Sequence, residues 1–206
     1  MKGSPPVIDI QHLFSNAQEL REPIIQSIGK ACEEWGFFHV INHGISEKLI
    51  KQTLEEMKSF FQLSLDLKLK VKRTATNSRG FANDELTKQK RDWKEIFDFG
   101  NLDLGFSEVD GVNQWPAELP LFKKTMKEYY EANAKLAKLL MEAISLSLNT
   151  DPQQLIKAFD NHTSFARLNY YPVLTSSSSL GISRHTDAGG LTILWQSGPG
   201  LQVYSG

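Results

Sequence analysis

The order in which helical and strand-like patterns occur along the chain most narrows what it can fold into. Up to about residue 163, apolar residues mostly recur at helical spacing, whereas the later part carries short β-branched and aromatic runs between turn residues. The strands predicted there span 164–170, 181–186, 191–196 and 201–204. A mostly helical part followed by a run of strands predicts an α+β fold.

The helical part is delimited by residues that typically begin or end helices. An apolar stripe predicts a helix over 24–35, and Gly36 follows it where a helix commonly ends in a left-handed residue. Ser46 is placed to cap a second helix, a third runs from about 120 to 144, and Asp151 precedes a fourth. The remaining predicted elements are strands at 7–10 and 37–41 and loops with short strands over 63–120.

Composition excludes several classes of protein. A chain of 206 residues that is 40% hydrophobic and 23% charged is neither disordered nor collagen-like. Its net charge of -1 argues against a nucleic-acid partner, and the alternation of basic and aliphatic residues over 68–73 predicts a half-exposed segment. The single cysteine, Cys32, excludes an internal disulfide and a thiolate-rich metal cluster. No run approaches the roughly 20 apolar residues of a membrane span, so we expect a cytoplasmic protein without a membrane partner.

The pair His185 and Asp187 is the sequence feature that most directly indicates chemistry. In a strand, residues two apart project from the same face, so the imidazole and the carboxylate would lie together. Such a pair suits a divalent first-row metal, and with one more His it forms a facial triad that leaves coordination positions open. Chance alone yields one His-x-Asp in roughly one of four sequences of this composition, and an ordinary His–Asp hydrogen bond is the structural alternative.

The surrounding motifs resemble a known family. They occur in one order along nearly the whole chain: Val7-Ile8-Asp9, Glu34-Trp35-Gly36-Phe37-Phe38, Asn42-His43-Gly44-Ile45, Asp92-Trp93-Lys94-Glu95, Trp115-Pro116, Leu168-Asn169-Tyr170-Tyr171-Pro172, Leu180-Gly181, His185-Thr186-Asp187 and Gly200-Leu201-Gln202-Val203. This series closely resembles the 2-oxoglutarate/Fe(II)-dependent dioxygenases, in the branch that contains isopenicillin N synthase and plant flavonoid and gibberellin oxygenases.

The resemblance implies a fold, a site and a set of cofactors. The fold would be a distorted jelly-roll (double-stranded β-helix) with N-terminal and packing helices, divided into an N-terminal dioxygenase region at 1–115 and, at 116–206, a long helix with the first jelly-roll strands. His185 and Asp187 match iron ligands, and Asn169 and Tyr171 match positions that commonly reach the co-substrate. The implied reaction uses Fe(II), 2-oxoglutarate and O2 to hydroxylate or desaturate a small organic molecule, with decarboxylation of 2-oxoglutarate to succinate.

The chain departs from the family pattern after residue 187. No His follows His185, and His12, His39, His43 and His162 match no ligand position. The third iron ligand and the arginine that anchors 2-oxoglutarate are therefore expected beyond residue 206, as are the strands that complete the jelly-roll. We interpret the sequence as part of a longer enzyme and expect the 206-residue chain alone to bind Fe(II) poorly and to turn over no 2-oxoglutarate. The alternatives are a related Fe(II) oxidase that does not use 2-oxoglutarate and a non-catalytic remnant that acts as an interaction module.

Overall fold

Helices form where the sequence carries apolar stripes. The computed structural model describes residues 3–87, 89–101, 111–159, 162–173, 181–187 and 189–203. The helices are α1 Gln18–Glu34, α2 Glu47–Phe61, α3 Leu65–Leu69, α4 Phe122–Ser147 and α5 Pro152–Ala158, with a short 3-10 helix at Gln11–Phe14. The strands are β1 Val7–Asp9, β2 His39–Ile41, β3 Gly80–Ala82, β4 Leu86–Thr87, β5 Lys90–Arg91, β6 Glu95–Gly100 and β7 Phe165–Tyr170.

The predicted helix ends are confirmed by their backbone geometry and capping bonds. Gly36 follows α1 with a φ of 68°, in the left-handed region that favours glycine. Ser46 caps α2 by accepting a hydrogen bond from the Leu49 backbone N–H at 3.2 Å. Asp151 accepts in the same way from the Gln153 N–H at 3.0 Å, directly before Pro152. These local signals therefore set where the helices begin and end.

The chain divides into two units, of which the first comprises residues 1–45, 132–162 and 189–206. In it β1 pairs in parallel with β2, with Ile8 opposite Val40. Its core is formed by aliphatic residues from β1, the 3-10 helix, α1 and the later turns of α4: Ile8, Ile10, Leu13, Ile25, Ile28, Ala31, Leu136, Leu140 and Ala143. Arg21 of α1 also donates to Glu142 of α4 at 2.6 Å. Cys32 packs against this core and is a free thiol, as its place on the stripe predicts.

The second unit comprises residues 46–131 and 163–188 and contains a three-stranded antiparallel sheet in the order β3-β6-β7. In β6, Phe97 and Phe99 lie on one face and Ile96 and Asp98 on the other, because side chains alternate along a strand. The first face packs into an aromatic core centred on Phe60 of α2. The rings within 6.2 Å of Phe60, centroid to centroid, are Phe61, Phe81, Phe97 and Phe122.

Three of the strands predicted late in the chain are absent from the described residues. β7 confirms the strand predicted at 164–170, but 181–186, 191–196 and 201–203 form no ladder, and residue 204 lies outside the described residues. A strand needs a neighbour to pair its backbone N–H and C=O groups, and these segments pair with none of the described strands. The α+β class is confirmed, because helices and paired sheets are both present.

The basic segment 68–73 is half exposed, as the sequence predicts, but a lysine is among its buried residues. Lys68 lies on α3 and is buried, whereas the neighbouring Leu69 is exposed. The Lys68 ammonium donates to the Phe61 carbonyl at 3.1 Å and to the Glu95 carboxylate at 2.7 Å. A paired ammonium can be buried, so the helix turns this lysine inward.

None of the described helices is long and apolar enough to cross a membrane. The cytoplasmic location stays a prediction from the sequence, as does the division of the chain between residues 115 and 116.

Candidate metal centre

His185 and Asp187 are brought together, although their segment is not a strand. The Nε2 atom of His185 lies 3.4 Å from Oδ1 of Asp187. The other ring nitrogen, Nδ1, lies 2.8 Å from the Ser183 carbonyl oxygen. Because a carbonyl oxygen only accepts, Nδ1 carries a proton in this contact, which leaves Nε2 as the ring nitrogen that could bind a metal. A backbone carbonyl that fixes the tautomer in this way is typical of metal-bound histidines.

The spacing of the pair is longer than a good hydrogen bond and is compatible with two ligands of one metal. A good N–H···O bond is about 2.7–3.2 Å long, shorter than the observed 3.4 Å. Two atoms at right angles around a metal, each roughly 2.1 Å from it, lie about 3.0 Å apart, which a small change in either side chain would produce. Both side chains are accessible, with exposed fractions of 41% for His185 and 54% for Asp187. The donor set and the geometry therefore fit a divalent cation.

No third ligand joins this pair in the part of the chain that the structure describes. No group of three or more His, Cys, Asp or Glu side chains there could hold a metal. His43, which follows a turn at Asn42, accepts a hydrogen bond from the Ile45 N–H through its Nδ1 at 3.2 Å. That ring stabilises a local turn, as we expect for a histidine that matches no ligand position.

Asn169 and Tyr171, the positions predicted to reach a co-substrate, lie at the end of β7. Asn169 is exposed and pairs in register with Ile96 of β6. Tyr171 follows the strand and is 49% exposed, and the partial desolvation of its phenol raises the pKa, with the negative charges of Asp92 and Glu85 raising it further and Arg167 opposing them. The phenol therefore stays protonated over a wider pH range and remains a hydrogen-bond donor.

The segment that carries the metal pair packs on the same tyrosine. Gly181 lies against the Tyr171 ring so closely that a Cβ at this position would be 2.7 Å from Cε1. Only glycine fits this approach without a shift of the ring. The contact places the start of 181–187 against one of the two predicted co-substrate residues.

A set of charged side chains that the sequence did not predict lies beside β6 and β7, and we call it the charged cluster. Its members are Arg73, Glu85, Asp92, Lys94, Asp98 and Arg167. Arg167 donates through Nε and Nη2 to the two oxygens of Asp98, each at 2.8 Å, and through Nη1 to Glu85 at 3.0 Å. Glu85 also pairs with Lys94 at 3.0 Å and with Arg73 at 2.9 Å.

Two sequence features contain residues of this cluster, but neither predicts that these residues pair with one another. Asp92 and Lys94 belong to the motif Asp92-Trp93-Lys94-Glu95, and Arg167 stands two residues before Asn169, on the same face of β7. Burial alone would raise the pKa of Glu85, but Arg167, Lys94 and Arg73 outweigh it and the pKa is lowered. Glu85 is thus held in its charged form within the cluster, next to the end of β7.

Comparison with known proteins places the chain among oxygenases. Residues 5–118 match the family described as "non-haem dioxygenase in morphine synthesis N-terminal". Jasmonate-induced oxygenase 4 of Arabidopsis thaliana is 32% identical over 209 residues, which cover 98% of this chain and 57% of that protein. Thebaine 6-O-demethylase of Papaver somniferum is also 32% identical, over 96% of this chain and 56% of its own length.

Solved structures show the same likeness. A full-length Neurospora crassa protein, solved in complex with alpha-KG and thymine, superposes with a TM-score of 0.78 at 24% identity, over 89% of this chain and 62% of that one, and shows the fold alone. JOX2 in complex with 2OG, Fe and JA superposes with a TM-score of 0.74 at 27% identity, over 90% of this chain and 53% of JOX2.

These likenesses define the class of protein: the chain shares the fold of solved oxygenases, and among them JOX2 is held in complex with 2OG and Fe. The chain belongs to the non-haem dioxygenase family, through the match of more than half of its residues. It spans about half the length of the curated relatives it matches.

Proposed function

We propose that this protein is an oxidoreductase that uses Fe(II), 2-oxoglutarate and O2 to oxidise a small organic molecule by hydroxylation or desaturation, with release of succinate and CO2. The observation that carries the proposal is the His185–Asp187 pair, with its Nε2 and Oδ1 atoms 3.4 Å apart and its Nδ1 bonded to the Ser183 carbonyl. The family membership and the solved relatives that hold 2OG and Fe support it.

The chain's own residues would hold the iron and orient the co-substrate. His185 would bind iron through Nε2, because its Nδ1 is used by Ser183, and Asp187 would bind through Oδ1 and add negative charge. Bound iron would supply a centre at which O2 and 2-oxoglutarate react. Asn169 and Tyr171 would hold the co-substrate, with the phenol donating a hydrogen bond to a carboxylate, since its raised pKa keeps it protonated.

The test follows NMR signals of the 206-residue chain while Mn2+, a paramagnetic substitute for Fe(II), is added without oxygen. We expect selective broadening of His185 and Asp187, which is lost in Asp187→Asn and retained in the control Asp66→Asn, whose carboxylate is exposed on α3. Addition of 2-oxoglutarate to the metal-loaded chain should then shift Asn169 and Tyr171.

Each outcome separates one part of the proposal. Broadening that is unchanged in Asp187→Asn would contradict the metal site at His185 and Asp187, and with it the oxygenase assignment. A metal response without any effect of 2-oxoglutarate on Asn169 and Tyr171 would contradict the co-substrate role of these two residues.

A further inference from the structure

Asp92 is buried with one of its oxygens unused. Its side chain is within the charged cluster, and the residue is 3% exposed. Oδ2 accepts a hydrogen bond from the Thr87 hydroxyl at 2.8 Å and lies 3.6 Å from the Lys94 ammonium. Oδ1 is buried and has no donor among the residues that the structure describes. Because a buried oxygen without a hydrogen bond is costly, such an atom calls for a partner such as a bound water, an ion or a ligand.

The cations around Asp92 already have partners. Arg167 uses Nε, Nη1 and Nη2 on Asp98 and Glu85, and its guanidinium also lies 5.7 Å from the centroid of the Phe165 ring. Lys94 lies 3.0 Å from Glu85, with its side chain 2% exposed. A carboxylate that entered this region would have to displace Asp98 or Glu85 and leave an unpaired buried charge, which is unfavourable. The cluster can therefore accept a hydrogen bond from a ligand more readily than it can bind an anion.

The free acceptor lies near the predicted co-substrate residues. The Asp92 backbone N–H donates to the Glu85 carbonyl at 3.0 Å, and the charge of Asp92 also raises the pKa of Tyr171, which directly follows β7. Glu85 links the two sides of the cluster, since its Oε2 lies 3.0 Å from both Lys94 and Arg167. Arg167 is two residues from Asn169 on the same strand face.

We propose that Asp92 is a specificity-determining residue that accepts a hydrogen bond from the substrate, so the substrate carries an N–H or O–H donor rather than a carboxylate at this position. The inference rests on the proposed function, because it places the substrate beside the residues assigned to the co-substrate. It adds the chemical class of the group that is recognised: an alcohol, a phenol, or a neutral or protonated amine.

The experiment compares three probes that share a benzyl group: 2-phenylethanol, 2-phenylethylamine and phenylacetate. Each is titrated into the metal-free 206-residue chain, and its dissociation constant is read from the NMR shifts of Asp92, Lys94 and Tyr171. A hydrogen bond to a buried carboxylate should make the alcohol and the amine bind about tenfold or more tightly than phenylacetate. Phenylacetate binding at these residues as tightly as the alcohol would overturn the inference, and so would shifts that spare Asp92 with every probe.

Two variants show whether Asp92 causes the preference. Asp92→Asn keeps the size of the side chain but adds an N–H donor, so the preference for alcohol and amine over phenylacetate should collapse or reverse. Asp84→Asn is the matched control, because Asp84 is an aspartate of the same segment with a 57% exposed side chain bonded to Lys72. An unchanged preference in Asp92→Asn would contradict the inference.

The wild-type probe order decides the question even where Asp92→Asn does not fold. The titrations contain no metal and no 2-oxoglutarate, so a failure here leaves the Mn2+ result at His185 and Asp187 intact. If the Mn2+ test failed but the probes bound in the expected order, the site for a hydrogen-bond donor would stand and the oxygenase assignment would fall.

Discussion

Arg167 of β7 donates two hydrogen bonds of 2.8 Å to Asp98, the residue directly opposite it in β6. This fork-to-fork pairing fixes both distance and orientation, as single hydrogen bonds do not. Asp98 is 3% exposed, and the two residues are 69 positions apart in sequence. The pair therefore helps to set the register of β6 and β7, and with it the position of Asn169 two residues further on.

Removing both partners of this pair should cost less than the sum of the two single removals. Asp98→Ala leaves the Arg167 guanidinium without its main partner, and Arg167→Ala leaves a buried carboxylate, so each should lower the free energy of unfolding by about 3–5 kcal/mol. The double variant should lose clearly less than the sum of the two single losses. Urea unfolding of the four proteins measures the coupling, and strictly additive losses would show that the two side chains stabilise the sheet independently.

The charge of Glu85 should make stability depend on pH. Its pKa is lowered in the folded chain, because Arg167, Lys94 and Arg73 together outweigh the effect of burial. Its contribution is therefore fully present above the unfolded value of about 4.3 and is lost as the pH falls through the lower folded-state pKa. Glu85→Gln should cost about 3–5 kcal/mol at pH 7, and its difference from wild type should shrink below about pH 4.

Urea unfolding at several pH values measures that difference. Glu55→Gln, a change at an exposed position of α2, is the control and should unfold as wild type at every pH. A Glu85→Gln difference that stays constant down to about pH 3, below the unfolded pKa, would show that the carboxylate contributes by packing and not by its charge.

Local features were predicted well from the sequence, because the residues that determine them are neighbours in the chain. Ser46 and Asp151 cap the helices they precede, and Gly36 takes the left-handed conformation. These features depend on one turn of backbone and a single side chain. The same reasoning predicted α1, α2, α4, α5 and the strand at β7, but not α3, which lies where loops with short strands were expected.

Features that depend on distant partners were missed. The charged cluster joins Arg167 to Glu85, 82 residues away, and no local pattern reports such a contact. The prediction of a strand at 181–186 was wrong for a related reason, since a strand forms only where another strand pairs with it. His185 and Asp187 nevertheless meet, because a two-residue spacing allows side chains to converge in a bent segment as well as along one face of a strand.

The contact between Gly181 and Tyr171 predicts an effect on co-substrate binding. Gly181→Ala places a methyl group against the ring, so Tyr171 must shift, and the response of Tyr171 to 2-oxoglutarate in the Mn2+-loaded chain should weaken about tenfold, by analogy with other small displacements of binding groups. Gly198→Ala is the control, because nothing lies within 4 Å of a Cβ there. Equal 2-oxoglutarate affinities in the two variants would show that the position of the Tyr171 ring does not affect co-substrate binding.

The aromatic core predicts where the second unit is most sensitive to substitution. Phe60 is fully buried, with ring centroids of Phe97 at 4.8 Å and of Phe122 at 5.2 Å, so it joins α2 to β6 and to the first turn of α4. Phe60→Ala should therefore lower the free energy of unfolding by about 3–5 kcal/mol through lost burial and the cavity left behind. Phe37→Ala, at a 50% exposed ring, should cost much less. Urea unfolding of both variants measures the difference, and comparable losses would mean that the core relaxes to fill the space left by the Phe60 ring.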